Sequence, residues 1–141
     1  YASRINSYEQ LLAAYQAYVA EDIGKAGDAL ANVNPDYLGE ETKNIYNTIN
    51  TQVNAEYVET MYRAGREAYD AQEYAEAVTN LQKVVEMDEN YDSGYALYYL
   101  AQSYRRNEDT ENAKIYYQKV VELYPGTERA ATAQNFLDST E

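Results

Sequence analysis

The chain has 141 residues, 45% of them hydrophobic, and a formal net charge of −13, so it can bury a core as one domain but has little overall attraction for a phosphate backbone. It contains no Cys and no His. That excludes disulfides, thiol catalysis and thiolate metal sites, and it removes the commonest general base and metal ligand.

Residues 1–34 read as a helical hairpin. Ile5, Tyr8, Leu12, Tyr15 and Val19 advance in steps of three and four, and Ile23, Ala26, Leu30 and Val33 do the same, which is the spacing of one helical face. Tyr8 and Tyr15 are therefore expected in or beside the core. The chain starts without Met, and this stripe begins so near its end that there is room for an upstream helix, signal or anchor. The strongest apolar run in the region is interrupted by Gln16, and none in the chain approaches the ~18 residues of a membrane span. Asn34-Pro35 then punctuates the chain, since Pro suits a helix start and disfavours its interior.

Residues 40–64 contain no Gly or Pro, and Tyr46, Ile49, Val53, Tyr57, Met61, Ala64 and Ala68 keep one apolar stripe. One long helix is expected there, with a bend near Asn50 and Asn54. Polar Asp70-Ala71-Gln72-Glu73 ends it, and Ala77, Leu81, Val84 and Val85 mark the face of a partner helix.

A repeat follows. The block Gln82-Lys83-Val84-Val85-Glu86 returns letter for letter as Gln118-Lys119-Val120-Val121-Glu122, a step of 36 residues (118 − 82), and the same step aligns Tyr62 with Tyr98 and Ala77 with Ala113. Each copy is a helical hairpin, with small residues (Gly65 and Ala77, Ala101 and Ala113) where two helices must approach closely. The second turn, Arg106-Asn107-Glu108-Asp109, ends in an N-cap, Asp109. Between the copies, Asp88-x-Asn90-x-Asp92-Ser93-Gly94 has the alternating oxygens of a calcium loop, but its glycine comes one place late and Tyr99 stands where the closing Glu belongs. It reads instead as a polar turn with Ser93 capping the next helix. After Pro125-Gly126, Thr127 caps a last helix over 127–139, an end piece with one apolar and one polar face.

Over residues 57–125 the pattern resembles the tetratricopeptide repeat, a helical hairpin with a period of about 34 residues. The matching residues are Gly65 and Ala101, Tyr104, Ala77 and Ala113, Leu81 and Tyr117, Val84 and Val120, and Pro125. Ala68 and Glu89 depart from it, where the family usually has an aromatic and a Pro. The ending Val120-Val121-Glu122-Leu123-Tyr124-Pro125-Gly126-Thr127-Glu128 is similar to the last repeat of bacterial cell-envelope proteins of this family. The resemblance implies an all-α, right-handed α-α superhelix of about seven helices. A single domain is expected, with a degenerate hairpin over 1–39, a long helix leading into the first repeat over 40–92, a second repeat over 93–126 and a capping helix over 127–141. It further implies a non-catalytic adaptor, an extracytoplasmic or cell-envelope location being favoured over a cytoplasmic one.

In that family the first helix of each repeat lines an inner groove. The outward positions here are Glu59, Tyr62, Arg63, Arg66, Tyr69 and Asp70, then Tyr95, Tyr98, Tyr99, Gln102, Arg105 and Arg106, with Gln134 and Asn135 on the last helix. Four of the chain's 11 basic residues fall on this face against two acidic ones, a local charge of +2 in an acidic chain. Tyr and Arg supply rigid contact area and bidentate grip on carboxylates. The expected partner is a protein or peptide segment carrying an acidic side chain or a free C-terminus, with no cofactor and no nucleic acid. The plainer alternative is that these arginines pair with neighbouring carboxylates such as Glu67, Asp70, Glu108 and Asp109, contacts worth little at a surface. A glycan-binding surface and a self-assembling homo-oligomer are the competing functional readings. No nucleophile elbow, phosphate-cradling glycine loop or paired-His motif is present.

Overall fold

The computed structural model describes residues 2–140. Those residues form seven α-helices, α1 (Ala2–Val19), α2 (Ile23–Ala31), α3 (Glu40–Asp70), α4 (Tyr74–Met87), α5 (Tyr95–Arg106), α6 (Thr110–Leu123) and α7 (Glu128–Ser139). Two 3-10 turns, Pro35–Tyr37 and Tyr91–Gly94, complete the helical set. The fold is an all-α helical repeat. Its contacts gather into two compact units, one up to Glu59 and one from Thr60, with the boundary inside α3.

The first unit is built on the α1–α2 hairpin. Asp22 caps α2 by accepting the Lys25 N–H, and Asn34 caps the Pro35–Tyr37 turn by accepting the Asp36 N–H. Leu11, Ala14, Ala26, Leu30, Val33, Leu38, Ile49 and Val53 form its core. Polar contacts fix the connection that follows: Ser7 Oγ accepts the Asn34 N–H at 3.1 Å and the Tyr8 hydroxyl accepts the Gly39 N–H at 3.0 Å. Arg4 Nε donates to the Tyr37 carbonyl at 3.1 Å.

The packing face of α1 is not the one that the periodicity suggested. Ile5, Tyr8, Leu12, Tyr15 and Val19 are all exposed, from 37% at Tyr8 to 64% at Val19, so Tyr8 and Tyr15 are not core residues. Ser7, Leu11 and Ala14 are buried instead. The helix carries two apolar stripes, and the buried one contains the small residues. Ala14 and Ala26, both fully buried, let two helices meet closely, which the bulky stripe would prevent.

In the second unit each helix packs on the next along the chain, α4 on α5, α5 on α6 and α6 on α7. Leu81, Val84, Leu97, Leu100, Tyr117 and Val120 are fully buried in its core, each aliphatic side chain contributing about 1.5–3 kcal/mol through burial. Asp109 and Thr127 are N-caps, accepting the N–H groups of Asn112 and Ala130.

All three hairpins close with one turn. Glu21, Gln72 and Glu108 each adopt a left-handed backbone, with φ of 62°, 64° and 61°. In each case the following N–H bonds five residues back: Asp22 to Ala17, Glu73 to Ala68 and Asp109 to Tyr104, at 2.8–2.9 Å. This satisfies helix-end carbonyls as a Schellman motif does. The N-terminal hairpin thus shares its turn geometry with the two clear repeats.

In the second unit, α3 and α4 meet closely at Gly65. A Cβ there would stand 2.7 Å from Leu81 Cγ, so only glycine lets α3 and α4 approach this far. Gly65→Leu is expected to cost about 1–3 kcal/mol through overpacking, read as a lower urea midpoint at unchanged slope. An unaltered midpoint would mean that α3 and α4 do not meet at this point.

Candidate partner-binding surface

The last turns of α3, all of α5 and the start of α7 carry a continuous set of tyrosine and arginine contacts. On α3, the Tyr62 hydroxyl donates to Asp92 Oδ2 at 2.5 Å and accepts from Arg66 Nη1 at 3.0 Å. The Arg66 guanidinium lies 3.9 Å from the centre of the Tyr99 ring and 5.7 Å from that of Tyr62, a cation–π pairing across two helices. Tyr69 meets Tyr99 edge to face at 5.4 Å, and Tyr99 in turn meets Tyr98 at 5.7 Å. Tyr95 lies beside Tyr99 at 6.4 Å. Offset and edge-on pairs of this kind add to the energy of burial.

Gln102 joins this row to the core. Its Nε2 donates to the Tyr98 hydroxyl at 2.7 Å and its Oε1 accepts from the buried Tyr117 hydroxyl at 2.6 Å. Arg105 lies over the Phe136 ring at 5.1 Å, and Arg106 stands near enough to Tyr69 to act on its hydroxyl. The face is therefore partly built in: Tyr62, Arg66, Tyr69, Tyr98, Tyr99 and Gln102 are half-buried, while Arg63, Tyr95, Arg105 and Arg106 are exposed.

Arg66 does more than the surface ion pair expected of it. Its Nε is buried without a hydrogen-bond partner, covered where the guanidinium stacks on the Tyr99 ring. Burial would lower its pKa, but the Tyr62 hydroxyl, Tyr99 and Asp70 outweigh that and raise it. Removing such a cation would leave the tyrosine row without its central tie.

Sequence reasoning missed the segment that closes one end of this row. Asp92 and Ser93 have φ of 54°, and Gly94 follows at 89°, three successive left-handed residues that chirality disfavours except at glycine. Gly94, not Ser93, is the N-cap of α5, because the left-handed run delays the helix by one residue. Side chains hold the run in place. Tyr62 takes the Asp92 carboxylate, the Tyr124 hydroxyl donates to Asn90 Oδ1 at 2.5 Å, and Arg129 Nη2 donates to the Ser93 carbonyl at 3.1 Å. A Cβ on Gly94 would overlap the Tyr124 ring. Arg129 also lies 4.2 Å from the centre of the Tyr95 ring, and its 36-residue offset from Ser93 (129 − 93) was the one signal that could have found it. Among the described residues no acidic cluster is placed to hold a metal ion.

Residues 62–128 match the sequence model of the tetratricopeptide repeat family. This span carries tetratricopeptide repeats. No curated protein and no solved structure matches the chain. The matched span begins at Tyr62 and contains α4, α5 and α6, so every surface residue described on α3 and α5 lies within it. Tetratricopeptide repeats commonly mediate protein–protein contact and typically act as non-catalytic scaffolds. No helix among the described residues is long and apolar enough to cross a membrane.

Burial pushes the hydroxyls of Tyr62 and Tyr117 up to about 12, the Asp92 carboxylate adding to the effect at Tyr62 and Arg105 opposing it at Tyr117. An exposed tyrosine titrates near ~10. The folded repeat therefore holds these protons longer than the unfolded chain does, so the contribution of these two hydroxyls to stability is fully present below about pH 10 and is lost as pH rises from about 10 to about 12. Melting followed by circular dichroism should show that fall, and it should be shallower in Tyr62→Phe/Tyr117→Phe. An equally steep fall in the variant would place the alkaline sensitivity elsewhere.

Proposed function

We propose that the tetratricopeptide unit is a protein-interaction adaptor whose tyrosine–arginine face holds a peptide segment bearing a carboxylate, from an acidic side chain or a free C-terminus. What supports this is a division of labour along the face. The half-buried members, Tyr62, Arg66, Tyr69, Tyr98, Tyr99 and Gln102, are tied to one another by ring contacts and hydrogen bonds. The cations at the C-terminal end of α5, Arg105 and Arg106, remain exposed to solvent.

A platform already fixed by its own contacts loses little side-chain freedom on binding. Exposed guanidinium groups beside it can grip a carboxylate with paired hydrogen bonds. In a chain of net charge −13, such a surface also orients an acidic segment by contrast with its surroundings.

Peptides ending in acidic residues with a free C-terminus should raise the melting temperature of the protein. Their amidated, neutral counterparts should do so much less. A ligand at a hundred times its Kd stabilises by about 2.7 kcal/mol, a shift easily read in a thermal melt. Arg105→Glu/Arg106→Glu should abolish the response while leaving helicity unchanged. Stabilisation by oligosaccharides instead, or an undiminished peptide response in the double variant, would overturn this reading.

A further inference from the structure

The first unit has a second apolar surface that the repeat does not use. Five of the 11 exposed large hydrophobic residues of the described chain lie on α1: Ile5, Tyr8, Leu12, Tyr15 and Val19. Leu12, Tyr15 and Val19 are each more than half exposed. Their steps of three, four, three and four residues are those of a coiled-coil seam, narrower than the stripe by which a globular helix meets its core. The core side of α1 is already occupied by α2, and Tyr8 and Arg4 are held from the flank by the 34–39 connection.

We propose that this seam pairs with the same seam of a second copy, making the protein a homodimer through α1. Three observations favour a second copy over an unlike partner. First, the charge distribution suits it: residues 1–20 carry only Arg4 and Glu9, whereas residues 21–59 carry two basic and eight acidic residues. Two chains of net charge −13 repel one another over most of their surfaces, and α1 is the neutral stretch along which they can meet. Second, the area is sufficient. The five side chains expose on the order of 500 Å² together, so two facing seams remove roughly 1,000 Å² in total, the least that a specific interface needs.

Third, the surface holds both parts of a self-complementary contact. Beside the seam, Tyr15, Tyr18, Ile45 and Ile49, with Asn44, Thr48 and Gln52, line an open hollow of about 380 Å³ between α1 and α3. A leucine or valine projecting from one copy's seam fits such a hollow on the other. Ridge and hollow on one face make an isologous two-fold interface, in which each copy gives and receives the same contact.

Sedimentation equilibrium over a concentration series tests this on the intact chain. The wild type should approach twice the chain mass as concentration rises through the micromolar range, and Leu12→Glu/Val19→Glu should return to the mass of one chain at every concentration. Both substituted positions are exposed, so the variant should keep its circular dichroism spectrum. Because the chain has no native cysteine, Leu12→Cys supplies an independent reading: mild oxidation should trap a covalent dimer, and Lys83→Cys on α4 should not. Arg105→Glu/Arg106→Glu should remain dimeric, which separates this interface from the peptide face. A wild type that stays a single chain throughout, leaving the seam for a helix of another protein, would overturn the proposal. So would a dimer that survives both glutamates.

Discussion

The second unit depends on one steric constraint, the absence of side-chain bulk where the first helix of each hairpin crosses the second. Gly65 lies against Leu81, and Ala77, Ala101 and Ala113 are completely buried. Because these positions are small, the large residues of α4 and α6, Leu81 and Tyr117, can sink fully into the core. The same closeness carries α5 to the end of α3, so that Arg66 on one helix reaches the Tyr99 ring on the other. Widening either hairpin by one methylene layer would break the contact that joins the tyrosine row.

The tyrosines themselves show why this chain has 18 of them and a single phenylalanine. Each ring packs while its hydroxyl ties neighbouring elements together. Tyr117 bonds to Gln102, Tyr104 donates to Gln82, and Tyr124 donates to Asn90. Phenylalanine would supply the same area and leave the Oε1 atoms of Gln82 and Gln102 without the hydroxyl donors they accept from in a half-buried setting. The repeat is thus mortared by polar contacts, and these are also what hold the disfavoured left-handed run at 92–94 in place.

Much of the second unit was legible because repetition doubles every signal. A 36-residue step gave helix positions, turns and caps together, and Asp109 and Thr127 cap as their spacing required. The surface was legible in part. Helical register put Tyr62, Arg66, Tyr69, Tyr98, Tyr99 and Gln102 on outward faces of their helices, but their contacts with one another and the way Arg66 is held come from the structure, since a guanidinium can choose a carboxylate or a ring and sequence spacing favours neither. Arg129 and Tyr124 escaped notice because their partners lie about one repeat away, on a turn whose left-handed geometry no residue type but Gly94 announced.

Sequence alone determined the helical class, the repeat and the residues that share each helical face, because these follow from periodicities of 3.6 and 36 residues. Only the tertiary structure decided which face of α1 meets the core. Its two stripes, Ser7-Leu11-Ala14 and Ile5-Tyr8-Leu12-Tyr15-Val19, have equally good helical spacing. What separates them is the shape of the surface presented by α2 and the 34–39 connection: a close-packed helix pair accepts alanine and serine where it has no room for tyrosine. Burial is a property of two surfaces, and a sequence periodicity describes one.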